Sequence, residues 1–155
     1  MDSDKTLIIL VGTMTGTASM VADDISEHCL SKNIKAKIYE MDKIDPKTLT
    51  NIKNPILVCS STYGQGDVPD NAQKLYLFLK KTKPNLANIK YAIFGLGDMA
   101  THGDTFAYGG KKIDKILSSL GATRICESYF HDSSGGTLPE EDAVEWFEKS
   151  IQNLL

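Results

Sequence analysis

The sequence predicts an α/β protein: a doubly wound, five-stranded parallel sheet with helices on both faces. Three observations predict it. Apolar runs of strand length alternate along the chain with stretches whose apolar residues recur at helical spacing. Three of the runs, TLIILV (6–11), PILVCSS (55–61) and YAIFGLG (91–97), are apolar almost throughout, as strands buried on both faces must be. Each leads into a loop rich in glycine, serine or threonine, the composition of a strand-to-helix crossing at a ligand site. A length of 155 residues is enough for one domain, 1–155, with a sizeable core.

The elements follow in order. TLIILV is the first buried strand. From 17 to 30, Ala18, Val21, Ala22, Ile25 and Cys29 form the apolar stripe of a helix. AKIYEM (36–41) alternates like a half-buried edge strand, and PILVCSS is the second buried strand. Asp70 and Gln73 make an Asp-x-x-Gln capping pattern ahead of a helix whose inner stripe is Ala72, Leu75, Phe78 and Leu79. Lys80, Lys81 and Lys83 suit its negative end. YAIFGLG is the third buried strand. Ile113, Ile116, Leu117 and Leu120 mark the next helix, which Gly121 stops. TRICESYF (123–130) is the last strand. Pro139 opens the final helix, with Glu140, Glu141 and Asp142 in its first turn and Ala143, Val144, Phe147, Ile151 and Leu154 on its buried face. No repeat, linker or low-complexity segment interrupts the pattern.

Composition excludes several function classes. A net charge of −3 gives no general affinity for nucleic acid. No apolar run approaches the ~20 residues of a membrane span. The start, MDSDKTLIIL, places acidic residues where a signal peptide needs basic ones, so the expected location is the cytoplasm. Cys29, Cys59 and Cys126 are too few and too far apart for a disulfide framework, and no CxxC offers a zinc site. Cys59 and Cys126 fall in expected strands and read as small buried thiols. With no long exposed apolar stripe, a monomer is the default.

Ligands of such sheets bind outside the carboxyl ends of the strands. The loops there are GTMTGT (12–17), SSTYGQGDVPD (60–70), GLGDMATHGDTFAY (95–108) and HDSSGGTLPEED (131–142). They hold no lysine or arginine, yet carry Asp67, Asp70, Asp98, Asp104, Asp132, Glu140, Glu141 and Asp142, which reads as a one-signed acidic rim. A P-loop needs Gly-Lys-Ser/Thr and a dinucleotide site needs GxGxxG; neither is present. A receiver domain needs acidic residues at the ends of its first and third strands, where this chain has Gly12–Thr13 and Ser60–Ser61. What remains is an uncharged nest. Thr13, Thr15 and Thr17 offer hydroxyls, Gly16 allows close backbone approach, and a helix N-terminus adds about half a positive charge. A phosphate monoester fits it; a polar turn with a helix cap is the other reading. In the second loop Tyr63 stands exposed between small residues, with Gly64 and Gly66 free to take positive φ. The third loop adds His102, Phe106 and Tyr108. Together these groups suit a phosphorylated flat heterocycle. Asp132 and the SSGG after it either reach the side chain of the ligand or form a flexible loop, the second being the favoured reading.

TMTGTA (13–18), SSTYGQGDVPDNA (60–72) and FGLGD (94–98) resemble, in order and spacing, the three FMN-binding loops of flavodoxins and of the FMN domains of diflavin reductases. With LPEEDAVEWF (138–147), the likeness is greatest to short MioC-type flavodoxins and spans essentially the whole chain. The resemblance implies a flavodoxin-like sheet of order 2-1-3-4-5 that binds FMN. It implies that Thr13, Met14, Thr15, Gly16, Thr17 and Ala18 hold the phosphate. Ser61, Thr62, Tyr63, Gly64 and Gly66 would cover one flavin face, and Gly95, Leu96, Gly97 and Asp98 would line the pyrimidine end. The family's third loop usually carries a stacking tyrosine before an aromatic such as Phe106. Here DMATHGDTF (98–106) has none and runs about two residues longer, leaving His102 as the nearest planar group. The implied role is a one-electron carrier rather than an enzyme in its own right, with no catalytic acid or base. Its partners would be a flavodoxin- or ferredoxin-reductase-type donor and a haem or iron–sulfur acceptor, docking on the acidic rim. A non-redox flavodoxin-like interaction module and an FMN-dependent NAD(P)H:quinone reductase stay open as alternatives. The MioC likeness alone would suggest a place in biotin synthesis.

Overall fold

The structure, a computed structural model, describes residues 6–155; the acidic start read as lacking a leader lies outside the described residues. The elements are β1 (Thr6–Gly12), α1 (Thr17–Ser31), β2 (Lys35–Glu40), α2 (Pro46–Leu49), β3 (Ile56–Ser60), α3 (Asp70–Thr82), β4 (Lys90–Gly97), α4 (Met99–His102), α5 (Tyr108–Ser119), β5 (Thr123–Arg124), β6 (Tyr129–Asp132) and α6 (Pro139–Ser150). The sheet runs in the order β2-β1-β3-β4-β5, with β6 also paired to β4, and every pairing is parallel. From β1 the chain goes first to one side and then to the other, so the switch point lies between β1 and β3.

The continuous apolar runs follow from burial on two faces. Successive strand residues point to opposite sides. Leu7, Ile9, Val11, Leu57, Cys59 and Phe94 pack under α1 and α6, against Val21, Ile25, Trp146 and Phe147. Ile8, Leu10, Val58, Tyr91 and Ile93 pack under α3 and α5, against Leu75, Leu79, Ile113 and Leu117. The α1 stripe is buried as its spacing requires. Gly121, at φ 102°, closes α5 in a Schellman motif: its N–H donates to the Ser118 carbonyl and that of Ala122 to the Leu117 carbonyl. The edge strand β2 is more open than its alternation suggests, with Ile38 and Tyr39 both exposed.

Four local expectations are corrected. The last strand is not continuous. Tyr91 lies opposite Arg124 but Phe94 opposite Tyr129, so the register slips by two residues between β5 and β6. The Trp146 indole N–H donates to the Glu127 carbonyl at 3.2 Å and occupies a group the ladder would use. Cys126 therefore sits at the break, only half-buried, rather than inside a strand. In α3, Pro69 takes the N-cap position, so Asp70 falls within the first turn and Gln73 donates to the Val68 carbonyl instead of closing a capping box. After Ser150 the chain tightens into a turn, Gln152–Leu154, that carries Leu154 off the buried face and leaves Ile151 on it.

Burial pushes the Cys29 thiol up to about 11 and the Cys59 thiol up to about 12. An unfolded thiol ionises near pH 8.5. The stability held by these protonated thiols is therefore full below that pH and is lost as pH climbs toward 11 and 12. At pH 8 a disulfide exchange reagent should leave both unlabelled in the folded protein and label them in urea. Rapid labelling of all three cysteines without denaturant would contradict this placement.

Candidate functional site

The site is built where β1, β3, β4 and β6 end. Between β1 and α1 the turn is held from outside and from within. The Thr13 N–H donates to Asn71 Oδ1 at 2.7 Å, which pins the turn to α3. The Gly16 N–H donates to Thr13 Oγ1 at 2.8 Å, with Gly16 at φ 96°, a conformation that suits glycine. Helix α1 then begins at Thr17 with no side-chain cap hydrogen bond and no acidic residue in its first turn. Its first N–H groups thus have no side-chain cap, and its own first turn puts no anion on its positive end. This donor set fits a phosphate dianion without any side-chain cation. Met14 and Thr15 are exposed beside it, whereas Ala18 is fully buried, so that only its backbone can serve a ligand.

The second loop folds as a tight turn. Tyr63 and Asp67 exchange backbone hydrogen bonds at 2.8 and 2.9 Å, with Gly64 at φ 54° and Gly66 at φ 111°. Tyr63 is 47% exposed. Thr62 ties three segments together: its hydroxyl donates to the Leu96 carbonyl at 2.9 Å and accepts from the Gly109 N–H at 3.0 Å. In the third loop Asp98 caps α4 by accepting from the Ala100 N–H at 3.0 Å, which places His102, exposed, at the cleft edge. The fourth loop is tied down at its start. Asp132 accepts from the Met99 N–H at 2.9 Å and from the Ser134 N–H and hydroxyl, and these bonds hold its carboxyl below the usual range.

These loops enclose a cleft of about 500 Å³, the size range of small-cofactor sites. Of the residues singled out in the sequence, Thr17, Ser61, Thr62, Gly64, Leu96, Gly97, Asp98 and His102 line it. Thr13, Met14, Thr15 and Gly16 form the turn that leads into Thr17. Tyr63 and Gly66 lie on the outer part of the second loop, where Gly66 packs on Thr105 and Tyr108. Gly95 sits under Phe130, and Phe106 packs against Gly97 behind the wall. Met20, Thr105, Ala107, His131, Ser133, Thr137, Leu138, Pro139 and Glu140 complete the lining. All but Met20 lie in the strand-end loops recognised in the sequence, where, Glu140 of the acidic rim apart, none was singled out.

The rim is not one-signed. Lys112 of α5 reaches Asp67 at 3.3 Å, and Lys111 lies over the rings of Phe106, Tyr108 and Phe130 at 5.2–5.5 Å. Asp142 turns inward, accepting from the Thr137 hydroxyl at 2.6 Å and the Tyr129 hydroxyl at 3.3 Å. Burial, with Asp142 beside it, raises the Tyr129 phenol.

A parallel sheet of this order, with a phosphate-ready helix end opening into a cleft at its switch point, defines a mononucleotide-binding α/β protein. The flavodoxin family model matches residues 9–146, and the chain belongs to the flavodoxin family, whose members bind FMN and carry electrons. It is 37% identical to human NADPH–cytochrome P450 reductase over 94% of this chain and 21% of that protein. It is 30% identical to the flavoprotein alpha-component of NADPH sulfite reductase from Vibrio vulnificus, over 96% of this chain and 23% of that one. The chain thus spans about a fifth of the length of these relatives. The structure of a cysteine-to-alanine mutant of flavodoxin from Pseudomonas aeruginosa superposes with a TM-score of 0.80 at 30% identity, over 93% of this chain and 95% of that one. Among the described residues, no helix is long and apolar enough to cross a membrane.

Proposed function

We propose that this chain is a single FMN-binding domain that relays electrons one at a time from a flavin-reductase-type donor to a haem or iron–sulfur acceptor. The observation that carries the reading is the uncapped, acid-free start of α1 opening into a cleft walled by the other strand-end loops. Thr13, Thr15 and Thr17, with the first N–H groups of α1, would hold the phosphate. Ser61, Thr62 and Gly64 would form one wall for the flavin, and Leu96, Gly97 and Asp98 the wall at its polar edge. Tyr63 and His102 are the exposed planar groups able to cover its faces. Bound FMN supplies the one-electron chemistry; the protein positions it, limits water and shapes the field around it.

The reading extends to the partners. Asp70, Asp98, Asp104 and Glu141 leave the cleft end negative, which suits a basic docking face. A monomer working in the cytoplasm fits this role. The purified protein should show flavin absorption bands that are released on denaturation, and its reduction of a haem protein should slow as salt is added. A colourless protein that gains no bands when FMN is supplied would refute the reading.

A further inference from the structure

A second concavity lies between α3 and the segment that runs from β2 into α2, an open groove of about 810 Å³. Its walls carry four lysines, Lys43 and Lys47 on the α2 side and Lys74 and Lys81 on α3. All four are exposed, and among the described residues no carboxylate forms an ion pair with any of them. Two carboxylates share the groove, Asp42 and Asp45, and Asp45 Oδ1 already accepts from the Lys47 N–H at 2.9 Å. The groove is thus positive on balance in a chain whose net charge is −3. The helix dipole accounts for Lys81, in the last turn of α3, but not for Lys74 in its first half.

The floor between these cations is apolar. Lys74, Leu77, Phe78 and Lys81 follow the spacing of one helix face. Leu77 and Phe78 therefore lie between two lysines set about 10 Å apart along the axis. Phe78 packs partly against the core, whereas Leu77 is 56% exposed. Covering Leu77 while pairing the lysines takes a partner that brings apolar and anionic groups together.

We propose that this groove docks an acidic peptide segment of a partner protein, with an apolar side chain seated on Leu77 between carboxylates that pair with the lysines. No arginine lines it, so the planar fork suited to phosphate is missing. The negative net charge opposes approach of nucleic acid or of an anionic bilayer. The groove is also distinct from the cleft end, where Asp70, Asp98, Asp104 and Glu141 suit a basic face. The two surfaces sort partners by charge and leave room for both at once.

Fluorescence anisotropy on the full chain tests this with three fluorescein-labelled octapeptides, each of glutamates with two leucines, the leucines set at three different spacings. At least one should bind with a dissociation constant of about 100 μM or tighter, and added salt should weaken it. Lys74→Glu/Lys81→Glu and Leu77→Asp should each weaken that binding at least about tenfold. Lys32→Glu/Lys115→Glu makes the same change in net charge outside the groove and should stay within about twofold. FMN affinity should be unchanged in every variant, which also shows that each is folded. Failure of all three peptides to bind, equal loss in the control pair, or binding that survives Leu77→Asp would overturn the proposal. So would tighter binding of a single-stranded oligonucleotide or of anionic lipid vesicles that the same variants abolish. A chain that binds peptide but not FMN would keep the groove and refute the proposed function; the reverse result would refute the groove alone.

Discussion

Gly109→Ala is expected to weaken FMN binding severely and to destabilise the fold. Gly109 is buried at the second position of α5, where its chain crosses the β3 loop. An added Cβ would fall on the Ser61 carbonyl oxygen and within 2.9 Å of Thr62 Cα, both backbone and unable to turn aside. The same crossing carries the Gly109 N–H to Thr62 Oγ1 bond at 3.0 Å, and Thr62 passes it on to the Leu96 carbonyl. Forcing the crossing apart therefore moves two walls of the cleft at once. We expect a loss of about 3 kcal/mol in urea denaturation and at least about a hundredfold in FMN affinity. Gly135→Ala is the control: its Cβ would meet nothing within 4 Å, so stability should change by no more than about 0.5 kcal/mol. Equal behaviour of the two variants would show that the crossing is not rigid.

The second expectation sets stability against binding. Thr17→Asp places a carboxylate in the first turn of α1, which now has no acidic residue there. A negative charge at a helix N-terminus stabilises by about 0.3–1 kcal/mol. The same charge occupies the field a phosphate would use and repels it at close range. The variant should thus unfold at slightly higher urea concentration while losing about a hundredfold in FMN affinity. A variant that loses stability and affinity together would mean that Thr17 acts through packing.

Much of this architecture was legible because its causes are local. The strands β1, β3 and β4 announce themselves by burial on both faces, and α1 by a stripe whose every member is buried. The glycine and threonine loops mark the strand ends. What escaped depends on partners distant in sequence or on elements too short to show a period. The break between β5 and β6 involves Trp146, 19 residues beyond Glu127. The four-residue helices α2 and α4 rest on caps from Asp45 and Asp98 rather than on a pattern. Lys112 reaches the rim from α5, where no reading of the loops alone would look. Asp142 reads as one more first-turn acid, yet Thr137, Tyr129 and His131 turn it inward. The wall made by His131 and Glu140 exists because β6 resumes pairing with β4 after the slip in register, a fact that lies in the sheet and not in the loop.

On this reading the start of α1 holds the phosphate of FMN. Fluorescence titration of the flavin-free protein with FMN and with riboflavin, which lacks that phosphate, tests it most directly. One FMN should bind saturably per chain, riboflavin should bind about a hundredfold more weakly, and the difference should largely vanish in Thr17→Asp. Equal affinity for the two flavins in the wild type would contradict it.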